Sequence, residues 1–166
     1  EPVSVLDPAI NGGSLDNILA LHSLSKRSNL AGYRAAFAVG DAALIKELLL
    51  VRRHTGFMLP SPITAAMEAA LADDAHVDEQ RERYIERRKR LKRALENAGF
   101  SISHSEGSLY LWATRGEPCR DTVAWLAQRG ILVAPGDFYG PAGAQHVRVA
   151  FTATDERVDE AVARIR

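Results

Sequence analysis

The sequence is poor in cysteine, in net charge and in long apolar runs. Cys119 is the single cysteine among 166 residues, which excludes an internal disulfide framework and favours a reducing compartment. The 21 Lys and Arg residues are matched by 21 Asp and Glu residues, so the chain lacks the positive excess of a general nucleic-acid binder. No apolar run reaches the roughly 20 residues that span a bilayer, and the first residues do not form an export signal. We expect a cytoplasmic protein that binds neither membrane nor nucleic acid.

The rest of the composition is that of a globular protein with an ordinary hydrophobic core. Short apolar runs alternate with amphipathic helical patterns, which predicts α/β or α+β packing. Residues 18–21 and 35–39 are predicted to form buried strands on either side of a polar connection. Asp41, Ser61 and Thr154 are predicted N-caps of three helices. Further strands are predicted at 100–102, 109–112, 131–133 and 147–151.

A dense run of charge covers residues 78–93, with four acids and eight bases. Its apolar residues recur at helical spacing, which predicts a helix that buries one narrow stripe. One interpretation is an RNA-binding helix. The interleaved acids and the zero net charge favour the other, a solvent-exposed helix with ion pairs between neighbouring turns. The chain is predicted to divide here, with one unit over 1–75 and a compact α+β unit over 76–166.

Residues 23–34, with the sequence Ser-Leu-Ser-Lys-Arg-Ser-Asn-Leu-Ala-Gly-Tyr-Arg, carry the most specific chemistry in the chain. Hydroxyls and a guanidinium are good partners for a phosphate group, which Arg34 can bind through two nitrogens at once. The amine of Lys26 can add charge beside such a phosphate, or it can attack a carbonyl as a nucleophile. From the residues alone, a polar loop with a surface lysine is the commoner alternative.

The same segment resembles the lysine segment of fold-type I pyridoxal-phosphate (PLP) aminotransferases, in which Ser-x-Ser-Lys is followed by Gly-x-Arg. In that family the lysine binds the cofactor covalently, so the resemblance implies this catalytic role for Lys26. It also implies that Ser23 and Arg34 hold the cofactor phosphate, and that Ser25 is a further cofactor-binding residue. The implied fold class is α/β, comprising the end of the large α/β cofactor domain over 1–75 and a small α+β C-terminal domain over 76–166.

Residues 146–151, His-Val-Arg-Val-Ala-Phe, resemble the late strand of this family that carries the arginine for the substrate α-carboxylate. Alternation along a strand places Arg148 on the face opposite the two valines that flank it. The resemblance implies that Arg148 binds the substrate. Phe138 and Tyr139, on the preceding loop, are interpreted either as substrate contacts or as anchors of the loop.

Over residues 107–160 the chain is most similar to the N-succinyldiaminopimelate aminotransferases within this family. The resemblance implies transamination of N-succinyl-LL-2,6-diaminopimelate with 2-oxoglutarate and glutamate, in lysine and cell-wall precursor synthesis, by a homodimer. Alternatives are another fold-type I amino-acid aminotransferase, a β-eliminating lyase, and a non-catalytic ligand-sensing domain fused to a DNA-binding module.

Two kinds of site are missing from the sequence. The upstream cofactor residues of the family, including the aspartate that pairs with the pyridine nitrogen, have no counterpart. We therefore expect the chain to be the C-terminal portion of a longer enzyme and to be inactive in transamination by itself. The five histidines and Cys119 lack the spacing of metal ligands, so no metal site is predicted.

Overall fold

The computed structural model describes residues 3–56 and 58–165. These residues contain both helices and strands, and the predicted α/β class is confirmed. The described residues form two compact units, one within 3–79 and the other within 80–165. The predicted boundary, between residues 75 and 76, lies four residues before the boundary of these units, at the start of the helix Ala75–Asn97.

The first unit is built around a two-stranded antiparallel sheet. Its strands pair from Leu19 opposite Gly40 to Ser23 opposite Ala36. This pairing brings the two ends of the intervening segment together, because the Leu24 N–H donates to the Ala35 carbonyl oxygen at 3.2 Å. The elements of this unit are α1 (Pro8–Asn11), β1 (Leu19–Ser23), α2 (Leu24–Arg27), β2 (Ala36–Gly40), α3 (Ala42–Thr55) and α4 (Ser61–Leu71).

The first predicted strand forms, but the prediction that it is buried is wrong. Leu21, on β1, is 76% exposed. In the part of the chain that the structure describes, β1 pairs with β2 alone, so few side chains cover its faces. An apolar run shows that a strand can be buried but does not supply the element that covers it. The core of this unit consists instead of Leu24, Ala35 and Met67.

The N-terminal ends of α3 and α4 are capped differently. The Asp41 carboxylate accepts hydrogen bonds from the Ala43 N–H at 2.7 Å and the Asn17 N–H at 2.8 Å. Asp41 is thus the predicted cap, and these bonds, the one from Asn17 foremost, lower its pKa. Ser61 is not a cap: it lies inside α4, and Pro60 occupies the capping position without a side-chain hydrogen bond.

The second unit is a four-stranded antiparallel sheet with helices. The strand order is β3-β4-β6-β5, and Trp112 on β4 lies directly opposite Arg148 on β6. Along both central strands, buried residues alternate with half-buried or exposed ones, so Arg148 lies on the face opposite its flanking valines, as predicted. The elements are α5 (Ala75–Asn97), β3 (Ser101–Ile102), β4 (Tyr110–Thr114), α6 (Cys119–Ala127), β5 (Ala134–Pro135), β6 (His146–Ala150) and α7 (Asp155–Arg164).

Helix α5 contributes one apolar stripe to the core of this unit, through Leu91 and Leu95. Its charged side chains form ion pairs. Arg87, itself nearly buried, donates from Nε to Asp155 on α7 at 2.8 Å, and Arg90 also contacts Asp155 at 2.9 Å. The hydrogen bond from Arg87 is the main cause of a lowered pKa at Asp155. These pairs fasten the first turn of α7 to the middle of α5.

The strand predicted at 131–133 is wrong. These residues form no strand, and Leu132 is 92% exposed. The reason is the end of α6: Gly130 adopts a left-handed conformation with φ 70°, and the Ile131 N–H donates to the Leu126 carbonyl oxygen at 3.0 Å. This is a common way to terminate a helix. It engages the Ile131 N–H, which a strand over 131–133 would need for pairing with a neighbour. The strand that does form is displaced to Ala134–Pro135.

Candidate active site

Lys26 lies on α2, a single helical turn that follows directly from β1. Ser23 caps this turn, because its Oγ accepts a hydrogen bond from the Ser25 N–H at 3.2 Å. The same hydroxyl donates to the Ala35 carbonyl oxygen at 3.5 Å. Serine at this position satisfies an amide that the short helix would leave unpaired, so the sequence Ser-Leu-Ser-Lys encodes its own turn.

Neighbours on both sides of Lys26 fix the turn in place. Leu24 is fully buried and accepts a hydrogen bond from the Leu30 N–H at 3.2 Å. Arg27 donates to the Ala70 carbonyl oxygen on α4 at 2.8 Å and forms an ion pair with Asp74. The backbone of Lys26 is therefore held between a core residue and a tethered one.

The Lys26 side chain itself is exposed, and it makes no hydrogen bond or ion pair with the residues that the structure describes. Ser25 is half-buried. The lysine amine is thus on a well-fixed turn and is not engaged by the described residues.

Arg34 returns to the same end of the sheet, two residues before Ala36, which pairs with Ser23. It has a left-handed backbone, with φ 55° and ψ 37°, a conformation that is uncommon for residues other than glycine. Its Nη1 donates to the Ala31 carbonyl oxygen at 3.0 Å, and the side chain is exposed. The paired strands thus place Ser23, Lys26 and Arg34 on one short loop at one end of the sheet.

Arg148 lies in the second unit, between two tyrosine rings. Its guanidinium carbon is 4.2 Å from the centroid of Tyr110 and 5.3 Å from that of Tyr139. Its Nε is buried and has no hydrogen-bond partner in the described part of the chain, and no carboxylate of the described residues pairs with it. The guanidinium therefore has no acceptor among the described residues, and the chemistry of its terminal nitrogens suits a carboxylate from outside the chain.

The loop before β6 is held by polar and aromatic contacts. Arg120 donates to Asp137 from two nitrogens, at 2.8 and 2.9 Å, and this pairing is the main cause of the lowered pKa of Asp137. Tyr139 packs edge-on against Trp112, with 5.6 Å between the ring centroids. Phe138 is 68% exposed. Tyr139 therefore anchors the loop, whereas Phe138 is presented to solvent.

Two residues beside candidate site residues were missed from the sequence, Arg27 in the first unit and Tyr110 in the second. Arg27 gave no signal, since nothing in the local pattern indicates a contact with α4. Tyr110 could have been found, because it alternates with Trp112 on one face of β4, and strand pairing brings that face beside Arg148.

Other classes of site are not found in the residues that the structure describes. They contain no group of three or more His, Cys, Asp or Glu side chains placed to bind a metal ion. No helix among them has the length and apolar character needed to cross a membrane.

A family model described as aminotransferase class I and II matches residues 4–165. The chain belongs to this family. The match covers nearly the whole sequence, including the Lys26 segment and the Arg148 strand. The resemblance inferred from these two motifs is therefore confirmed at the level of the family, which depends on PLP.

The chain is similar to curated relatives and to solved structures. A probable aminotransferase of Mycobacterium tuberculosis is 66% identical over 165 residues, which are 99% of this chain and 40% of that protein. The 4-dedimethylamino-4-oxo-anhydrotetracycline transaminase of Streptomyces rimosus is 65% identical over 99% of this chain and 46% of its own length. A solved structure of a probable N-succinyldiaminopimelate aminotransferase from Thermus thermophilus is 30% identical, with a TM-score of 0.75 over 92% of this chain and 42% of that one.

The chain thus spans less than half the length of the relatives it matches. The chemistry of its donors fits the family cofactor. The hydroxyls of Ser23 and Ser25 and the guanidinium of Arg34 suit a phosphate monoester, and an unengaged amine at Lys26 suits an aldehyde.

Proposed function

We propose that the full-length protein is a PLP-dependent aminotransferase in which Lys26 is the residue that binds the cofactor. The observation that carries this proposal is the placement of an unengaged lysine on a fixed turn, on the same loop as Ser23 and Arg34. Residues 1–75 are then the end of the large cofactor domain, and 76–166 are the small C-terminal domain.

PLP, when bound, supplies the electron withdrawal that makes a substrate α-carbon acidic. Ser25 and Arg34 would hold its phosphate through hydroxyl and guanidinium donors. Ser23 would join them once its O–H, which here donates to the Ala35 carbonyl oxygen at 3.5 Å, turns to the phosphate. With the cofactor bound, the Nζ of Lys26 would accept the α-proton of the substrate and would return a proton to the C4′ carbon of the cofactor. The chain therefore contributes an anchor and a proton carrier on one loop, and the fixed backbone of α2 keeps the two in register.

Arg148 binds the α-carboxylate of the amino acid or oxo acid. A guanidinium and a carboxylate pair through two parallel hydrogen bonds, which fixes the orientation as well as the position of the substrate. The lack of an acidic partner for Arg148 among the described residues supports this role.

For the substrate we favour N-succinyl-LL-2,6-diaminopimelate, with 2-oxoglutarate and glutamate as the other pair. The similarity to the Thermus thermophilus structure supports this choice. The second candidate is an amino transfer to a ketone such as 4-dedimethylamino-4-oxo-anhydrotetracycline, which the 65% identity to the Streptomyces rimosus enzyme supports. A homodimer located in the cytoplasm remains part of the proposal.

The role of Lys26 is tested on the full-length protein by reduction with borohydride followed by mass spectrometry. The wild type and Lys46→Ala, which lacks an exposed lysine of α3, should retain the cofactor covalently, and Lys26→Ala should not. The same variant should lose roughly 10²-fold or more in kcat. Covalent attachment in Lys26→Ala would contradict the assignment.

The substrate is tested by offering both amino-group acceptors, with glutamate as the donor, and by comparing kcat/KM. Turnover of the succinylated oxo acid but not of the tetracycline ketone supports the first candidate. The reverse result supports the second, and turnover of neither would refute both substrate proposals while leaving the role of Lys26 intact.

A further inference from the structure

The environment of Arg148 is unusual for a half-buried arginine. Its guanidinium is flanked by ring faces, at 4.2 Å from Tyr110 and 5.3 Å from Tyr139. The part of the chain that the structure describes provides neither a carboxylate nor a carbonyl oxygen as its partner. Among the described residues, the two ring contacts are therefore the polar-group interactions that this guanidinium makes.

Aromatic rings can hold a guanidinium without using its donors. A ring attracts the cation through the negative face of its π-system. A carboxylate would instead take the same in-plane N–H groups that a substrate needs. The two rings hold the cation while its fork of donors stays free.

The rings are themselves held by the sheet. Trp112 lies directly opposite Arg148 across β4 and β6. It packs edge-on against Tyr139 and stacks on His146 at 5.2 Å, with an angle of 8° between the two planes. Tyr110 lies two residues from Trp112 on the same face of β4. Strand pairing thus fixes the backbone that carries Tyr110, and the Trp112 ring packs against that of Tyr139.

We propose that Tyr110 and Tyr139 are positioning residues that hold Arg148 ready for a substrate carboxylate through their ring faces. This inference rests on the proposed carboxylate-binding role of Arg148. It assigns the tyrosines no contact with the substrate or cofactor. Their phenol groups are dispensable for this role, whereas their aromatic faces are required.

The test measures the Kd of 2-oxoglutarate for the full-length holoenzyme by calorimetry, together with KM and kcat. Tyr110→Leu and Tyr139→Leu should each raise Kd and KM roughly 2- to 30-fold, with a smaller change in kcat. Tyr110→Phe and Tyr139→Phe keep the ring and should stay within about twofold of the wild type. Combined with Arg148→Ala, the leucine substitutions should have no further effect.

Trp125→Leu is the matched control. The guanidinium carbons of Arg129 and Arg115 lie 3.6 and 4.4 Å from the centroid of the Trp125 ring, respectively. The ring also packs against the core. Its loss should lower the melting temperature without changing the Kd of 2-oxoglutarate. A purely structural role for the tyrosines would give the same pattern in their variants.

Three results would overturn the proposal. Unchanged Kd in both leucine variants, alongside weakened binding in Arg148→Ala, refutes the positioning role alone. Unchanged binding in Arg148→Ala refutes the proposed carboxylate role and the positioning role with it. Equal losses in the phenylalanine and leucine variants show that the hydroxyls act instead. Should Tyr110→Leu fail to fold, Tyr139→Leu decides, because that ring is 53% exposed.

Discussion

Gly136 begins the loop that carries Tyr139, and a side chain larger than hydrogen cannot be placed there. A Cβ at this position would lie 2.2 Å from the Gly143 carbonyl oxygen, 2.5 Å from that of His146 and 3.0 Å from the Trp112 ring. Two of these atoms belong to the backbone and cannot rotate away. We predict that Gly136→Ala destabilises the second unit, although the backbone of Gly136 is not left-handed.

The size of the effect follows from the overlap. Overpacking in a filled interior costs about 1–3 kcal/mol when side chains can adjust. Here the strand and the loop must move instead, so we expect a cost at the upper end, about 3 kcal/mol. At roughly 2–4 °C per kcal/mol for a domain of 150–250 residues, the melting temperature should fall by at least about 5 °C.

The assay is thermal unfolding of the full-length protein, with two glycine controls. Gly32→Ala meets no atom within 4 Å and needs no left-handed backbone, so it should shift the melting temperature by no more than about 1 °C. Gly140→Ala also meets no atom but has φ 107°, so it measures backbone strain alone. If Gly136→Ala had the same melting temperature as Gly32→Ala, the close approach of the Gly136 and Gly143 segments would be refuted.

Three further predictions concern stability. Leu95→Ala, at a fully buried position, should cost about 2–5 kcal/mol in denaturant unfolding, whereas Leu132→Ala, at a 92% exposed one, should cost less than about 0.5 kcal/mol. Asp155→Asn should destabilise at neutral pH, because the Arg87 hydrogen bond lowers the pKa of Asp155 in the folded state. The difference from the wild type should begin to shrink below about pH 4, the pKa of an unfolded Asp, and should disappear only as the pH falls through the lowered folded-state pKa. Asp41→Ala should accelerate amide hydrogen exchange in the first turn of α3, since that carboxylate accepts two amide hydrogen bonds there.

Each of these has an outcome that contradicts it. An equal loss in the free energy of unfolding for Leu95→Ala and Leu132→Ala would contradict the assignment of the core. A pH-independent difference for Asp155→Asn would show that the carboxylate charge contributes nothing to stability. Unchanged exchange in α3 would show that Asp41 is not its cap.

Much of the local structure could be predicted because it is set by nearby residues. Asp41 caps α3 through amides two and three residues away. Arg148 falls on its predicted face because strand alternation has a fixed period of two. The errors arose where the outcome depended on the end of a neighbouring element, as at 131–133, or on what covers a strand, as at Leu21.

The sequence by itself determined the chemistry offered by the candidate site: an amine, two hydroxyls and a guanidinium at fixed spacing between Ser23 and Arg34. It also determined the family, because the residue types and the intervals between them are properties of the covalent sequence and do not depend on the fold. Only the tertiary structure decided that Arg27 is tied to α4 and that Tyr110 and Tyr139 flank Arg148. Arg27 and Tyr110 each contact a residue about 40 positions away in the sequence. These two contacts, and that of Tyr139 with Arg148, depend on packing and strand register, which no local pattern in the sequence specifies.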